Sequence, residues 1–329
     1  MVILLSKSQV SSILSMAESI KAVEEAFREL ALGTATMPTR LSLSIPEKQG
    51  WLGVMPAYLA KAGSLTTKIV TVYQNNATRH GIPNVLAAVI LNDVETGRIE
   101  AIMEGSQITA MRTGAVSGVA TKYLARTDAT RLGIFGAGVQ ARRQFQAVRE
   151  VRAIRSASVY DTRKEMTRDF IVETTAQGDV KVSVANTPEE VVREADIIVT
   201  ATTSATPVFN GRNIKPGTHI NAIGAFTPST REVDNETIST SKIVVDSLDA
   251  ALAEAGDIII PMKEGLIRRE NIWAELGQIV TGRKTGRASQ EEKTLFKSVG
   301  LGIQDAAVAL VVFKKARSLG VGTRVDLEN

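Results

Sequence analysis

The chain has two histidines and no cysteine, so the commonest acid–base and nucleophilic side chains are scarce. Thiolate nucleophiles, disulfides and cysteine-ligated zinc are excluded. His219 opens an apolar segment and His80 sits in the turn-like Arg79-His80-Gly81-Ile82-Pro83, so both read as structural. The remaining candidates are cations. Lys68 lies in the β-branched run Ser64–Tyr73, where alternation puts it on the face of Thr66, Val70 and Val72. Burial on such a face lowers a lysine's pKa toward the range useful for proton transfer. Arg112 sits among small residues in Ala110-Met111-Arg112-Thr113-Gly114-Ala115, and its planar fork suits a carboxylate. Arg40 is the third cation of this kind. The plainer reading of each is a surface or interface ion pair.

A second chemistry is written in Arg131–Arg143, RLGIFGAGVQARR. The apolar run Leu132–Phe135 meets Gly136-Ala137-Gly138-Val139-Gln140-Ala141 and then a helical pattern. Gly136 permits a tight turn, Gly138 lets a pyrophosphate approach the backbone, and Ala141 allows close helix–strand packing. The helix N-terminus offers free N–H groups to phosphate. The next apolar strand, Ser158-Val159-Tyr160, ends at Asp161, about 25 residues after the first glycines, where a ribose-binding acid is expected. This spacing predicts a nicotinamide dinucleotide site. Asp161 favours NAD, because its charge repels a 2′-phosphate; Thr162, Arg163 and Lys164 follow, and the two cations would welcome that phosphate. The cofactor is therefore NAD or NADP, with NAD slightly favoured. Thr202 and Gly224 end later strands, on the side where such sheets line their cofactor crevice.

The elements that must position these residues fall into two patterns. Val2–Leu5 reads as a strand. Ser15 and Glu18 form a capping box before Ile20, Val23, Phe27 and Leu30, with Gly33 as a stop. Strands follow at Leu41–Ile45, Ser64–Tyr73, Val85–Leu91 and Arg98–Met103, the last two joined by a hairpin loop. A helical, small-residue segment runs from Thr109 to Ala125. Strands and helices then alternate, with strands at Leu132–Phe135, Ser158–Tyr160, Val180–Val184, Ile197–Thr200, His219–Ile223 and Ile243–Val245. A final helix begins near Val299. The fold class expected is α/β: a Rossmann-type doubly wound parallel sheet inserted in an α+β domain.

Composition is that of a globular enzyme: 44% hydrophobic, 22% charged, net charge +4. The densest basic run, Arg283-Lys284-Thr285-Gly286-Arg287, lacks interleaved aromatics and reads as a solvated loop, so nucleic acid is not an expected partner. No apolar run reaches membrane-spanning length and no signal peptide is evident, so a cytoplasmic protein without a membrane partner is expected. No His/Asp/Glu cluster has metal-ligand spacing.

Four segments together, Thr109–Ala115, Gly136–Ala141, Asn221-Ala222-Ile223-Gly224 and Gly302-Ile303-Gln304-Asp305, resemble the ornithine cyclodeaminase/mu-crystallin family over nearly the whole chain. The resemblance implies a homodimer. It implies a substrate and dimerisation domain from residues 1–115 plus 300–329, with a dinucleotide domain from 116–299. It assigns Arg40, Lys68 and Arg112 to holding a substrate carboxylate and polarising the reacting group. Thr113, Val139, Gln140 and Asp161 become cofactor contacts. It hints that Asp305 lies near the active site, although an acid in a helix's first turn also has a purely structural reading.

One departure matters. The cyclodeaminases and the archaeal alanine dehydrogenases of this family carry an aspartate after Asn-Ala-Ile-Gly; Phe226 stands at the matching position here. Phenylalanine takes no proton and activates no water, but it suits a flat cyclic imine. The expectation is an NAD(P)H-dependent reductase of cyclic imino acids such as Δ1-pyrroline-2-carboxylate, with Phe226 and Asp305 at the substrate. The alternatives are ornithine cyclodeamination with Asp305, Asp234 or Glu232 replacing the missing acid, an alanine dehydrogenase, and a non-catalytic cofactor-dependent binding protein.

Overall fold

The structure, a computed structural model, describes residues 1–175, 178 and 180–327. The chain forms two compact units, one from residues 1–112 and 301–329 and the other from residues 113–300.

The first unit is built on a mixed sheet. Its strands are β1 (Val2–Leu5), β2 (Ala35–Thr36), β3 (Leu41–Ile45), β4 (Gly50–Leu59), β5 (Ser64–Tyr73), β6 (Val85–Asn92), β7 (Ile99–Glu104) and a C-terminal strand, Thr323–Val325. The order is C-terminal strand, β1, β7, β6, β5, β4, β2, with β3 also on β4. Only β1 and β7 run parallel. The helix Met16–Leu32 starts at the expected Ser15–Glu18 capping box and stops at Gly33, whose φ of +74° suits glycine. It buries Ile20, Val23 and Phe27, each contributing about 1.5–3 kcal/mol of burial. The last helix, Gly302–Leu319, packs on β4, β5 and β6 and against Met16–Leu32. Its approach is tight at Gly302, where a Cβ would lie 3.2 Å from both the Ala57 Cβ and the Pro56 carbonyl oxygen. The Ser64 hydroxyl then donates to the Ala306 carbonyl at 2.9 Å. This contact sets the register of the helix on β5.

The second unit holds a fully parallel sheet of β8 (Arg131–Phe135), β9 (Ser156–Tyr160), β10 (Lys181–Val184), β11 (Ile197–Thr200), β12 (His219–Ala222), β13 (Lys242–Val245), β14 (Ile272–Glu275) and β15 (Thr294–Lys297). The order is β10-β9-β8-β11-β12-β15-β13-β14. Apolar clusters cover it, one around Leu132, Ile134, Val159 and Val199, another around Phe135, Ile198, Ile220 and Leu295. Strand direction of winding reverses between β8 and β11, the switch point where a doubly wound sheet opens a crevice. β14 and β15 are absent from the sequence expectation, and β15 inserts between β12 and β13. The buried His219 fills a structural place: its ring nitrogens meet Thr294 Oγ1 at 2.9 Å and Asn221 Oδ1 at 3.2 Å. Burial pushes its pKa down to about 3.

Candidate active site

In the first unit, β5 points Ser64, Thr66, Lys68 and Val70 to its buried face. Lys68 is 1% exposed and is paired in register with Met55 on β4 and Val89 on β6, both buried. These apolar flanks strip the ammonium of water. Its Nζ donates to Asp305 Oδ2 at 2.7 Å. The other carboxylate oxygen, Oδ1, takes Arg112 Nε at 3.2 Å, and Arg112 Nη1 donates to Gln304 Oε1 at 2.6 Å. Arg40, half-buried between β2 and β3, also presses its charge on Lys68. Burial lowers the Lys68 pKa to about 7, and Arg112 and then Arg40 add to the effect, while Asp305 opposes it.

Three expected substrate cations and Asp305 thus form one constellation. Asp305 sits in the first turn of Gly302–Leu319 and bridges Lys68 and Arg112. Sequence reasoning missed Gln304, whose side chain is fully buried and whose Nε2 has no hydrogen-bond partner. Its signal was its place beside Asp305 in the Gly302–Asp305 segment.

In the second unit, Gly136 turns with φ +91°, and a Cβ there would lie 2.5 Å from the Ala201 carbonyl. The space beside Gly138 is open. Gly138 caps the helix Val139–Val151 without a side-chain cap, and no acid occupies the first turn. The first-turn amides of Val139 and Gln140 are therefore suited to an anion. Val139 is exposed at this turn. Asp161 closes β9 as expected, but its carboxylate is already engaged: Oδ2 accepts from Ala137 N and Oδ1 from Arg163 N, both at 2.9 Å. It braces the glycine turn as well as presenting negative charge. Thr162 and Arg163 are exposed beside it. Arg142, which sequence reasoning missed, donates to the Ala137 and Gly138 carbonyls and is held by Glu173. The Thr113 carbonyl accepts from Gln144 Nε2 at 2.9 Å. Open space, uncapped amides and a flanking acid fit a dinucleotide.

Thr202 and Gly224 lie just beyond β11 and β12 and share one partner, Glu232. Phe226 follows, 40% exposed. The acids weighed as substitutes for the family aspartate are committed elsewhere. Glu232 is fully buried under hydrogen bonds. Asp234 caps the helix Asn235–Thr240 and accepts from Gly211 N. Asp305 is bound to the two cations. Among the described residues no cluster of His, Asp or Glu could hold a metal, and no helix is long and apolar enough to cross a membrane.

The chain is similar to known proteins over nearly its whole length. A solved structure of Thermococcus litoralis Δ1-pyrroline-2-carboxylate reductase in complex with NADH and L-proline is 48% identical, with a TM-score of 0.96, covering 98% of this chain and 100% of that one. An archaeal alanine dehydrogenase dimer with bound NAD is 40% identical, with a TM-score of 0.94 and 99% of each chain covered. A Δ1-pyrroline-2-carboxylate reductase of Bacillus cereus is 39% identical over 325 residues, 98% of this chain and 99% of its own. The model of the ornithine cyclodeaminase/mu-crystallin family matches residues 2–320, and the chain belongs to that family.

Proposed function

We propose that this protein is an NADH-dependent reductase of cyclic imino acids, with Δ1-pyrroline-2-carboxylate or its six-membered homologue as substrate. The observation that carries this reading is the buried Lys68, poised near pKa 7 beside Arg112. Reduction of a cyclic imine needs a carboxylate clamp, a proton at nitrogen and a hydride at carbon. When bound, the reduced dinucleotide supplies the hydride. Arg112 and Arg40 hold the carboxylate. Lys68 gives its proton to the ring nitrogen as the C=N electron pair moves onto that atom, leaving the cyclic amino acid. Asp305 keeps Lys68 and Arg112 in place through its two oxygens. Phe226 supplies an apolar surface and no base.

The cofactor would be held by Gly136, Gly138, Val139 and Gln140 at the pyrophosphate and by Asp161, Thr162 and Arg163 at the adenosine ribose. Thr202, Gly224 and Thr113 complete the set. The Asp161 charge favours NADH over NADPH. The domain division implied by the resemblance, 1–115 plus 300–329 around 116–299, remains our reading of which segments serve substrate and cofactor. We also read the protein as a cytoplasmic homodimer. Register aligns Leu41, Leu43, Leu52, Val54, Ile69 and Leu86 on one face of the first unit's sheet, and Leu41 and Leu43 are 65% and 55% exposed. Such a face suits a second copy.

The relative described with NADH and L-proline supports this choice, since proline is the product of the five-membered reduction. Alanine oxidation is the second reading, favoured by the identity to the archaeal alanine dehydrogenase. The test is NADH oxidation by purified protein with freshly made Δ1-pyrroline-2-carboxylate, beside L-alanine and L-ornithine with NAD. Rapid turnover of the imine alone is expected. NADH formation from alanine, or ammonia from ornithine, with no imine reduction would overturn the proposal.

A further inference from the structure

A buried network of charge lies in the second unit, around Glu232. This residue is 0% exposed, and burial raises its pKa. Its Oε1 accepts from the Thr202 backbone N and hydroxyl, both at 2.7 Å. Its Oε2 accepts from Gly224 N at 2.6 Å, Thr200 Oγ1 at 2.8 Å and Ala225 N at 3.2 Å. One carboxylate therefore ties the chain leaving β11 to the chain leaving β12.

Glu232 is itself fixed. Asp257 Oδ1 accepts from Glu232 N at 2.7 Å and from Val233 N at 3.0 Å. Asp257 Oδ2 pairs with Lys297 Nζ at 2.7 Å, and Lys297, at the end of β15, donates to the Ala225 carbonyl at 2.5 Å. The ring closes through Ala225. Its members Glu232, Asp257 and Lys297 are all wholly buried.

The place matters more than the count. A doubly wound sheet receives its dinucleotide at the C-terminal strand ends beside the switch point. Glu232 holds two such ends, after β11 and after β12. The segment it grips also touches the glycine turn: a Cβ on Gly136 would lie 2.5 Å from the Ala201 carbonyl and 3.3 Å from Thr202 Cγ2. A Cβ on Gly224 would lie 2.3 Å from the Thr202 carbonyl and 2.4 Å from Glu232 Oε1, so this packing admits only glycine.

We infer that Glu232 is a positioning residue for the nicotinamide half of the dinucleotide, setting the spacing of the Thr202 and Gly224 segments through its carboxylate. The inference rests on the cofactor reading above. The pyrophosphate and adenosine are served by the glycine turn and Asp161, which Glu232 does not contact in this set of bonds.

Glu232→Gln is the sharp test, because it is isosteric yet misplaced. Each carboxylate oxygen faces a backbone N–H, and an amide NH2 on either side would oppose a donor that cannot rotate away. The wild type and the variant are titrated with NADH and with ADP-ribose, which lacks only the nicotinamide, and turnover is followed with the cyclic imine. NADH affinity and kcat are each expected to fall about tenfold or more, with ADP-ribose affinity kept within about twofold. If both ligands and kcat stay within about twofold of wild type, Glu232 does not position the nicotinamide. Equal weakening of both ligands also overturns the inference, since it marks a general effect on the unit. If the wild type binds neither ligand, the cofactor reading itself falls and takes this inference with it. Should the Gln variant not fold, Thr200→Val, which removes one of the five bonds at a buried residue outside the cofactor set, carries the same comparison with an expected loss of about threefold for NADH alone.

Discussion

Each unit buries a cluster of charge, and the two clusters differ in balance. In the first unit two cations, Lys68 and Arg112, share one carboxylate, Asp305, and the neighbouring Gln304 Nε2 has no partner. In the second, every oxygen of Glu232 is met by backbone or hydroxyl donors, and Asp257 and Lys297 close the ring. A cationic excess and a spare donor call for an anion from outside. A network closed on its own backbone holds a shape. Burying charge is expensive in both cases. The difference teaches that a polar group left unmet, rather than burial, separates a site from a scaffold.

The strongest way to break the comparison is to remove the proposed proton carrier. Lys68→Met is expected to lower kcat for imine reduction by about two to four orders of magnitude, with NADH affinity unchanged in a binding titration. Asp305→Asn is expected to leave Lys68 and Arg112 without their carboxylate. It should lose about 3–5 kcal/mol in denaturant unfolding, and the Lys68 pKa should fall below its present value near 7, because Asp305 raises it. Lys297→Met should cost stability on the same scale by stranding Asp257, yet leave the pH at which imine reduction falls off where it is. If it moved that pH, the two clusters would not be separate in role.

Arg112→Met sharpens the same point. It removes one proposed clamp and one charge that depresses Lys68, so kcat/KM for the imine should fall about 10- to 100-fold while the alkaline limb of its pH profile moves upward. The smallest effect belongs to Asp161→Asn. The amide oxygen still reaches one backbone N–H, but the charge is gone, and the ratio of NADH to NADPH kcat/KM should drop about fivefold to tenfold.

Much of the Lys68 face and of the glycine turn is legible in the sequence because both follow simple spacings. Alternation along Ser64–Tyr73 gives the face of Lys68, and the glycines and Asp161 give the turn. The partners of these residues are not legible. Lys68 meets Asp305 across more than two hundred residues, a contact made by the packing of Gly302 and Ser64. Strand β4, which pairs along the whole of β5, is masked in sequence by Gly50, Gly53 and Pro56. Pro56 is accommodated because β3 pairs with residues 50–54 and β2 with residues 58–59, leaving its missing N–H between them. Glu232 has no local pattern at all; its meaning lies in donors from residues 200, 202, 224 and 225.

The most direct test of the account is the single-turnover rate of NADH oxidation with Δ1-pyrroline-2-carboxylate as a function of pH, for the wild type and Lys68→Met. Lys68 must be protonated to deliver its proton, and burial holds its pKa near 7. The wild-type rate should therefore be full below that pH and fall as pH rises through it, and the variant should be slow without that limb. A variant that keeps the wild-type rate, or the same limb, would contradict the assignment of Lys68 as the proton source.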